Sequence, residues 1–149
     1  MVSLGEVADI CRIGAYIAAA ISALLASFTY RGEARRRRAE WAFQLFERFF
    51  AGQAYRSVRD RLDAPENDDQ VAQLVNQESP DFTDYLNFFE FAAYLMKSKQ
   101  ITKADFDALF AYYIECLWRH EDVRRYIKSE DKGFENLRKL LNRHDRQRA

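Results

Sequence analysis

Cys116 and His120 are the residues of this 149-residue chain whose types and spacing come nearest to chemistry. Four apart, they share one helix face, as a thiol beside a base or half of a metal site would. The rest of such a site is missing. His144 is the only other histidine, Cys11 is the only other cysteine, and no cysteine pair has metal spacing. No Gly-rich phosphate loop, His-Glu zinc motif or nucleophile elbow occurs. Cys116 therefore reads as a structural cysteine, with no catalytic residue, metal ligand or cofactor site, and the chain as no enzyme. Glu115 and Arg119, also four apart, read as a surface ion pair.

Two polar residues, Asn87 and Glu90, interrupt the apolar run from Tyr85 to Met96. A buried Glu90 needs a partner, because an unpaired charge inside a protein costs several kcal/mol. Arg119, Tyr112 and Tyr113 on the following helix are partners the order of the chain offers. Asn87, Glu90, Tyr112 and Arg119 are thus the candidate polar or ligand-binding group. A hydrogen bond that locks the core is the competing reading.

The elements that must position these groups are helices, since the helical period recurs and sustained alternation does not. Trp41, Leu45 and Phe49 form one stripe, and Phe43, Phe46 and Phe50 a neighbouring one. This predicts a helix over 33–50 with an irregularity at Gly32. Gly52 interrupts it before a helix over 54–62. A loop follows over 63–68 around Pro65, then a short helix over 70–77. Ser79 as cap, Pro80 at the first helical position and Asp81 in the first turn open a helix running to Ser98. That helix buries Tyr85, Phe88, Phe89, Ala92, Leu95 and Met96. After a tight reversal at 99–101, Thr102 and Asp105 resemble a capping box. The next helix carries Phe106, Leu109, Phe110, Tyr113, Ile114, Leu117 and Trp118 on its apolar side. The short turn predicts that these two helices pack antiparallel. A loop over 129–133 precedes a last helix over 134–144 with Leu137, Leu140 and Leu141 inward. Aromatics make up 15% of the chain, enough to fill one small core.

Upstream lies a segment of another kind. Eighteen uncharged residues, Ile13 to Tyr30, run into Arg31, Arg35, Arg36, Arg37 and Arg38. A helix of that length spans about 27 Å, close to the hydrocarbon thickness of a bilayer. A cleavable signal would carry its positive charge first, whereas here Glu6 and Asp9 come first. Ser22, Ser27 and Thr29 can bond back to the helix's own carbonyls. The arginines form a collar for the inner leaflet, which places the N-terminus outside and the body in the cytoplasm. Arg12 can snorkel to the outer headgroups. Cys11 and Cys116 then lie on opposite sides and cannot pair within one chain. Gly14, Ala18, Ser22 and Ala26 recur every four residues, a stripe on which membrane helices associate.

The expected organisation is a short outside segment at 1–12, a membrane span at 13–30, a juxtamembrane helix at 31–62 and a helical domain at 63–149. The fold class is all-α, the span continuing into a small aromatic-rich cytoplasmic bundle. Charge is balanced overall but unevenly placed. Asp63 to Met96 holds eight acidic residues and no basic one, while the chain from Arg124 onward holds nine basic and four acidic. The basic tail suits anionic inner-leaflet lipid, a solvated charged helix end, or the acidic stretch of a second copy. It lacks the aromatic interleaving that would point to nucleic acid.

The stretch Tyr85-Leu86-Asn87-Phe88-Phe89-Glu90-Phe91-Ala92-Ala93 resembles a family motif. With it go Phe106, Phe110, Leu117-Trp118, Tyr126-Ile127 and Gly133-Phe134-Glu135-Asn136-Leu137. Over roughly 41–141 the chain is similar to a bacterial family of small proteins of unknown function, with one N-terminal membrane helix and a helical cytoplasmic domain. The resemblance implies an inner-membrane setting and no established activity. Where relatives often carry glycine after the first long helix, this chain has Ser98-Lys99-Gln100. The function expected is that of a membrane-anchored, non-enzymatic oligomer acting as signal receiver or membrane effector, as in stress or antiphage defence. A passive scaffold docking a cytoplasmic protein is the alternative. The partners expected are the lipid bilayer, further copies of the chain and a cytoplasmic protein or small ligand.

Overall fold

The computed structural model describes residues 4–63 and 68–148. Within these, the side chains of residue 4, residues 6–11, Ala54, Asp68, His144 and residues 146–148 are outside the description. Expectations for Cys11, for His144 and for the loop around Pro65 therefore lie outside the described residues. All described regular structure is helical: α1 (Leu4–Ala51), α2 (Gln53–Asp63), α3 (Asp68–Asn76), α4 (Pro80–Lys97), α5 (Lys103–Arg119), α6 (Glu121–Lys128) and α7 (Glu135–Arg148), with a single 3-10 turn at Glu130–Lys132. Residues 1–37 and 38–149 form two compact units.

In the first unit the helix runs through Gly32 with no break, so the expected irregularity is absent. A glycine lowers helix propensity by about 1 kcal/mol but does not by itself interrupt hydrogen bonding. Ser22 Oγ donates to the carbonyl of Ala18 at 2.8 Å and Thr29 Oγ1 to that of Leu25 at 3.0 Å, which satisfies both hydroxyls inside the helix. The helix is long and apolar enough to cross a membrane.

The second unit has one core, and Phe49 near the end of α1 lies at its centre. Its ring is fully buried and sits 4.7–6.2 Å from those of Tyr55, Tyr85, Phe88, Phe89, Phe110 and Tyr113, which come from α2, α4 and α5. Such edge-to-face and offset contacts add about 0.5–1.5 kcal/mol per pair beyond burial. Leu45, Phe49, Val58 and Leu62 all belong to this core, so residues 38–62, expected to be juxtamembrane, are part of the domain. Gly52 separates α1 from α2, and a Cβ there would stand 3.1 Å from the Arg48 carbonyl and 3.2 Å from the Tyr55 ring, which favours the smallest residue. Arg59 of α2 folds back over this end. Its Nη1 donates to the Phe49 carbonyl at 2.9 Å and its guanidinium lies 4.8 Å from the Phe49 ring centre, capping α1 and stacking on its last aromatics.

The helix-terminus signals hold in part. Thr102 and Asp105 form the capping box in both directions. Ser79 occupies the cap position of α4 with Pro80 after it, but its side chain makes no capping bond. α4 and α5 meet where Phe88 and Phe89 touch Phe110, yet α4 packs mainly on α7 and α2. α6 was not anticipated. The chain leaves the helix at His120, in extended backbone, and Val123 and Ile127 of α6 are both buried.

α7 is fastened at its far end as well. The Trp118 indole N–H and Lys128 Nζ both donate to the Asp145 carboxylate. The Trp118 hydrogen bond, then that of Lys128, hold the Asp145 carboxyl below the usual carboxylate range. A depressed folded value stabilises above the unfolded value of about 3.9 and is lost as pH falls through the folded one. Asp145→Asn is therefore expected to lower stability at pH 7, with the difference from wild type closing below about pH 4. Urea titrations followed by tryptophan fluorescence at both pH values check this, and an unchanged gap at low pH would refute it.

Candidate functional site

The turn between α4 and α5 is built like a helix end that prefers glycine. The Gln100 N–H donates to the Leu95 carbonyl at 2.9 Å and that of Lys99 to Met96 at 3.1 Å, the paired bonds of a Schellman motif. Lys99 takes the left-handed position, φ 61°. It lies within Ser98-Lys99-Gln100, the turn in which the resemblance implied a glycine; a lysine at this position accepts strain and adds a charge. Ile101 then turns inward, and the Thr102 box starts α5.

Glu90 ties the start of α7 to α4. The carboxylate of Glu90 accepts from the backbone N–H of Asn136 at 3.0 Å, that of Leu137 at 2.8 Å and Asn136 Nδ2 at 2.6 Å. These backbone groups belong to the first turn of α7, where N–H groups have no partner within the helix and the dipole favours an anion. Phe134, just before the helix, has no side-chain acceptor, so a carboxylate from α4 serves as the cap. One turn further Leu140 lies beside Met96, and Arg143 beside the 98–102 turn, as common lining of one cavity.

That cavity has a volume of about 450 Å³, within the range of small-molecule pockets. Met96, Ile101, Phe106, Ala111, Ile114 and Leu140 supply its apolar lining, Thr102 and Asp107 line it too, and its basic residues are the half-buried Arg38 and the exposed Lys99, Lys103 and Arg143. A smaller hollow of about 270 Å³ adjoins it, sharing Met96, Lys99, Leu140 and Arg143 and adding Lys97 and Lys139. Six basic side chains and one acidic one, Asp107, line the two. Asp107 is paired with Lys103, and Lys139 with Glu135. Arg38, Lys99 and Arg143 have no carboxylate partner among the described residues. The site offers an apolar slot with cations at its mouth.

The expected polar group does not assemble. Glu90 is committed to α7 and not to Arg119 or Tyr112, and Asn87 is exposed on the outer side of α4. Tyr112 is exposed and its hydroxyl donates to Asp63 of α2, while Arg119 is exposed at the end of α5. Tyr112 instead joins Arg59, Asp63, Tyr85, Tyr113 and Cys116 around a polar hollow of about 220 Å³. The buried Tyr85 hydroxyl there has no hydrogen-bond partner among the described residues, and burial pushes its pKa well up. Burial likewise pushes the Cys116 thiol up, away from the thiolate a nucleophile needs. His120 is buried with Nε2 3.0 Å from the Leu62 carbonyl, so that nitrogen carries the proton and donates. Among the described residues no three His, Cys, Asp or Glu side chains converge as a metal site. Of the five arginines after the apolar run, Arg31, Arg35, Arg36 and Arg37 are exposed, whereas Arg38 is half-buried.

The roles of Glu90 and Asn87 separate by mutation. Glu90→Ala is expected to cost about 1–3 kcal/mol, since it strands the N–H groups of Asn136 and Leu137. Asn87→Ala is expected to stay within about 0.5 kcal/mol of wild type. Chemical denaturation of both variants checks this; equal costs would overturn the assignment.

No curated protein and no solved structure matches the chain. One family does, and the match starts inside the apolar run and ends within α7, so it takes in both most of that run and the helical domain. Residues 16–144 match the family described as Domain of unknown function (DUF4760), and the chain belongs to that family.

Proposed function

We propose that this is a membrane-anchored, non-enzymatic protein whose helical domain receives a ligand and acts at the membrane. One observation carries the reading. The large apolar side chains of the run, Ile13, Tyr16, Ile17, Ile21, Leu24, Leu25, Phe28 and Tyr30, are 53–71% exposed. The domain, by contrast, buries Phe49, Tyr85, Phe89, Phe106 and Phe110 almost completely. An apolar surface of that extent needs a lipid or protein cover, and its length and arginine collar suit a bilayer. In this reading the protein is single-pass in a bacterial inner membrane, with its N-terminus outside and residues 31–149 cytoplasmic. The cation-rimmed cavity supplies the receiving site.

Copies associate through Gly14, Ala18, Ser22 and Ala26, all exposed on the helix. The second reading, a scaffold, is favoured by exposed aromatics on the domain. Phe43, Phe46, Phe50, Phe91 and Tyr94 are 38–64% exposed, enough to seat a protein partner.

Carbonate washing of membranes from expressing cells is expected to leave the protein in the pellet, and its release would refute the anchor. Depolarisation or dye-uptake assays, with and without residues 1–37, test the effector role; equal responses would leave the scaffold. Ala18→Leu is expected to reduce the oligomer seen by crosslinking in detergent, since a larger side chain keeps the backbones apart. Unchanged crosslinking would place the contact elsewhere.

A further inference from the structure

We propose that the cavity between the α4–α5 turn and α7 holds one acyl chain of an anionic membrane phospholipid, its phosphate held by Lys99, Arg143 and Arg38. The inference deepens the membrane-anchored reading and rests on it for the source of the lipid.

Two features of the site select the ligand class. The lining is mainly apolar and includes Ile101, Phe106 and Ile114 from the buried core, which suits a hydrocarbon chain. The mouth is cationic, and the one acidic residue lining it, Asp107, is neutralised by Lys103. A sugar would find Thr102 as the one uncharged hydrogen-bonding side chain of that lining. A neutral amphiphile would leave the cations uncompensated. An anionic amphiphile answers both, and each basic residue close to an anionic lipid contributes about 1 kcal/mol. Arg143 and Lys99 carry no carboxylate partner among the described residues, so their charge is available to a phosphate.

The choice of phospholipid over free fatty acid follows from the sequence. Arg38 comes eight residues after Tyr30, the last residue of the apolar run. A domain tethered so closely to a bilayer meets phospholipid at far higher local concentration than any free acid. Phosphate also suits several cations at once, where a carboxylate would engage fewer.

The full-length protein in mild detergent is presented with phosphatidylglycerol, phosphatidylcholine of the same chains, or oleate, and bound lipid is counted by native mass spectrometry. Phosphatidylglycerol is expected to bind about tenfold more tightly than phosphatidylcholine and to resist displacement by oleate. Ala111→Trp fills the slot from an exposed position of α5 and is expected to weaken phosphatidylglycerol about tenfold; lipid merely resting on the arginine collar would be untouched. Arg143→Glu is expected to abolish the preference for the anionic lipid. Lys99→Gly relieves the left-handed backbone, so it is expected to raise thermal stability while still weakening lipid binding, which separates ligand loss from misfolding.

Equal binding of the two phospholipids, indifference to Ala111→Trp, or retention of oleate alone would each overturn the proposal. Carbonate washing of the same cells distinguishes the two levels. Protein held in the pellet with no lipid in the cavity refutes this inference and leaves the anchor standing. Protein released by carbonate that still takes phosphatidylglycerol in detergent refutes the anchor instead.

Discussion

The carboxylate of Glu90 is the contact on which the arrangement of the domain's last helix depends. It sits on α4 and accepts the first free backbone donors of α7, 46 and 47 residues away. Without an acceptor, the N–H groups of half-buried Asn136 and buried Leu137 would be unsatisfied, at a combined cost of about 1–3 kcal/mol. The bond also sets a register. Six residues along α4 from Glu90 stands Met96, and four along α7 from Asn136 stands Leu140; both line the cavity. A slot of given width and a cationic mouth are consequences of one helix being capped by another. At the other end Trp118 and Lys128 hold Asp145, so α7 is tied near both termini and closes the core with Leu137 and Leu141 between.

The remaining helices are organised by aromatic packing. Phe49 is enclosed by rings from three other helices, and Arg59 seals it from the side while capping the end of α1. This is how residues 38–51 become part of a domain although the helix they belong to begins in an apolar run. The glycine at 52 is closely approached, so a side chain there would have to displace the Arg48 carbonyl or the Tyr55 ring by a few tenths of an ångström, and it lets α2 return along the same aromatic cluster. Packing of this density fixes which face of each helix points inward, and therefore which face is left for solvent or partners.

Local signals were legible and distant ones were not. The stripe of Trp41, Leu45 and Phe49, the Pro80 start of α4 and the Thr102–Asp105 box all declare themselves within one or two helical turns. The buried faces of α4 and α5 follow from the same short-range periodicity. Glu90 was recognisable as a polar residue needing a partner, but its partners are backbone groups, which have no sequence signature. Arg119 and Tyr112 were offered because they come next along the chain, whereas the fold places α7 there. α6 was hidden because His120 breaks the helix with neither glycine nor proline to mark it. The cationic mouth was half visible: Lys97, Lys99 and Lys103 cluster in sequence, but Arg38 and Arg143 join them only through the packing of α1 and α7 with the rest of the core.

The five arginines after the apolar run are consequently not equivalent. Four are exposed, and the fifth, Arg38, is half-buried, opens the compact domain and lines its cavity. An anion held by Arg38, Lys99 and Arg143 together would bridge the start of the domain, the α4–α5 turn and α7. A ligand that binds only this arrangement stabilises it by mass action, about 2.7 kcal/mol at a hundred times its dissociation constant. The same ligand has no effect on any equilibrium in which the three sites keep their distances, because a shift requires different affinity for the two states. A receiving role for the domain therefore demands a second arrangement in which the three cations are apart. The element whose shift would separate them is α7, which carries Arg143 and is fastened by polar contacts at its two ends and by the buried Leu137 and Leu141 between them.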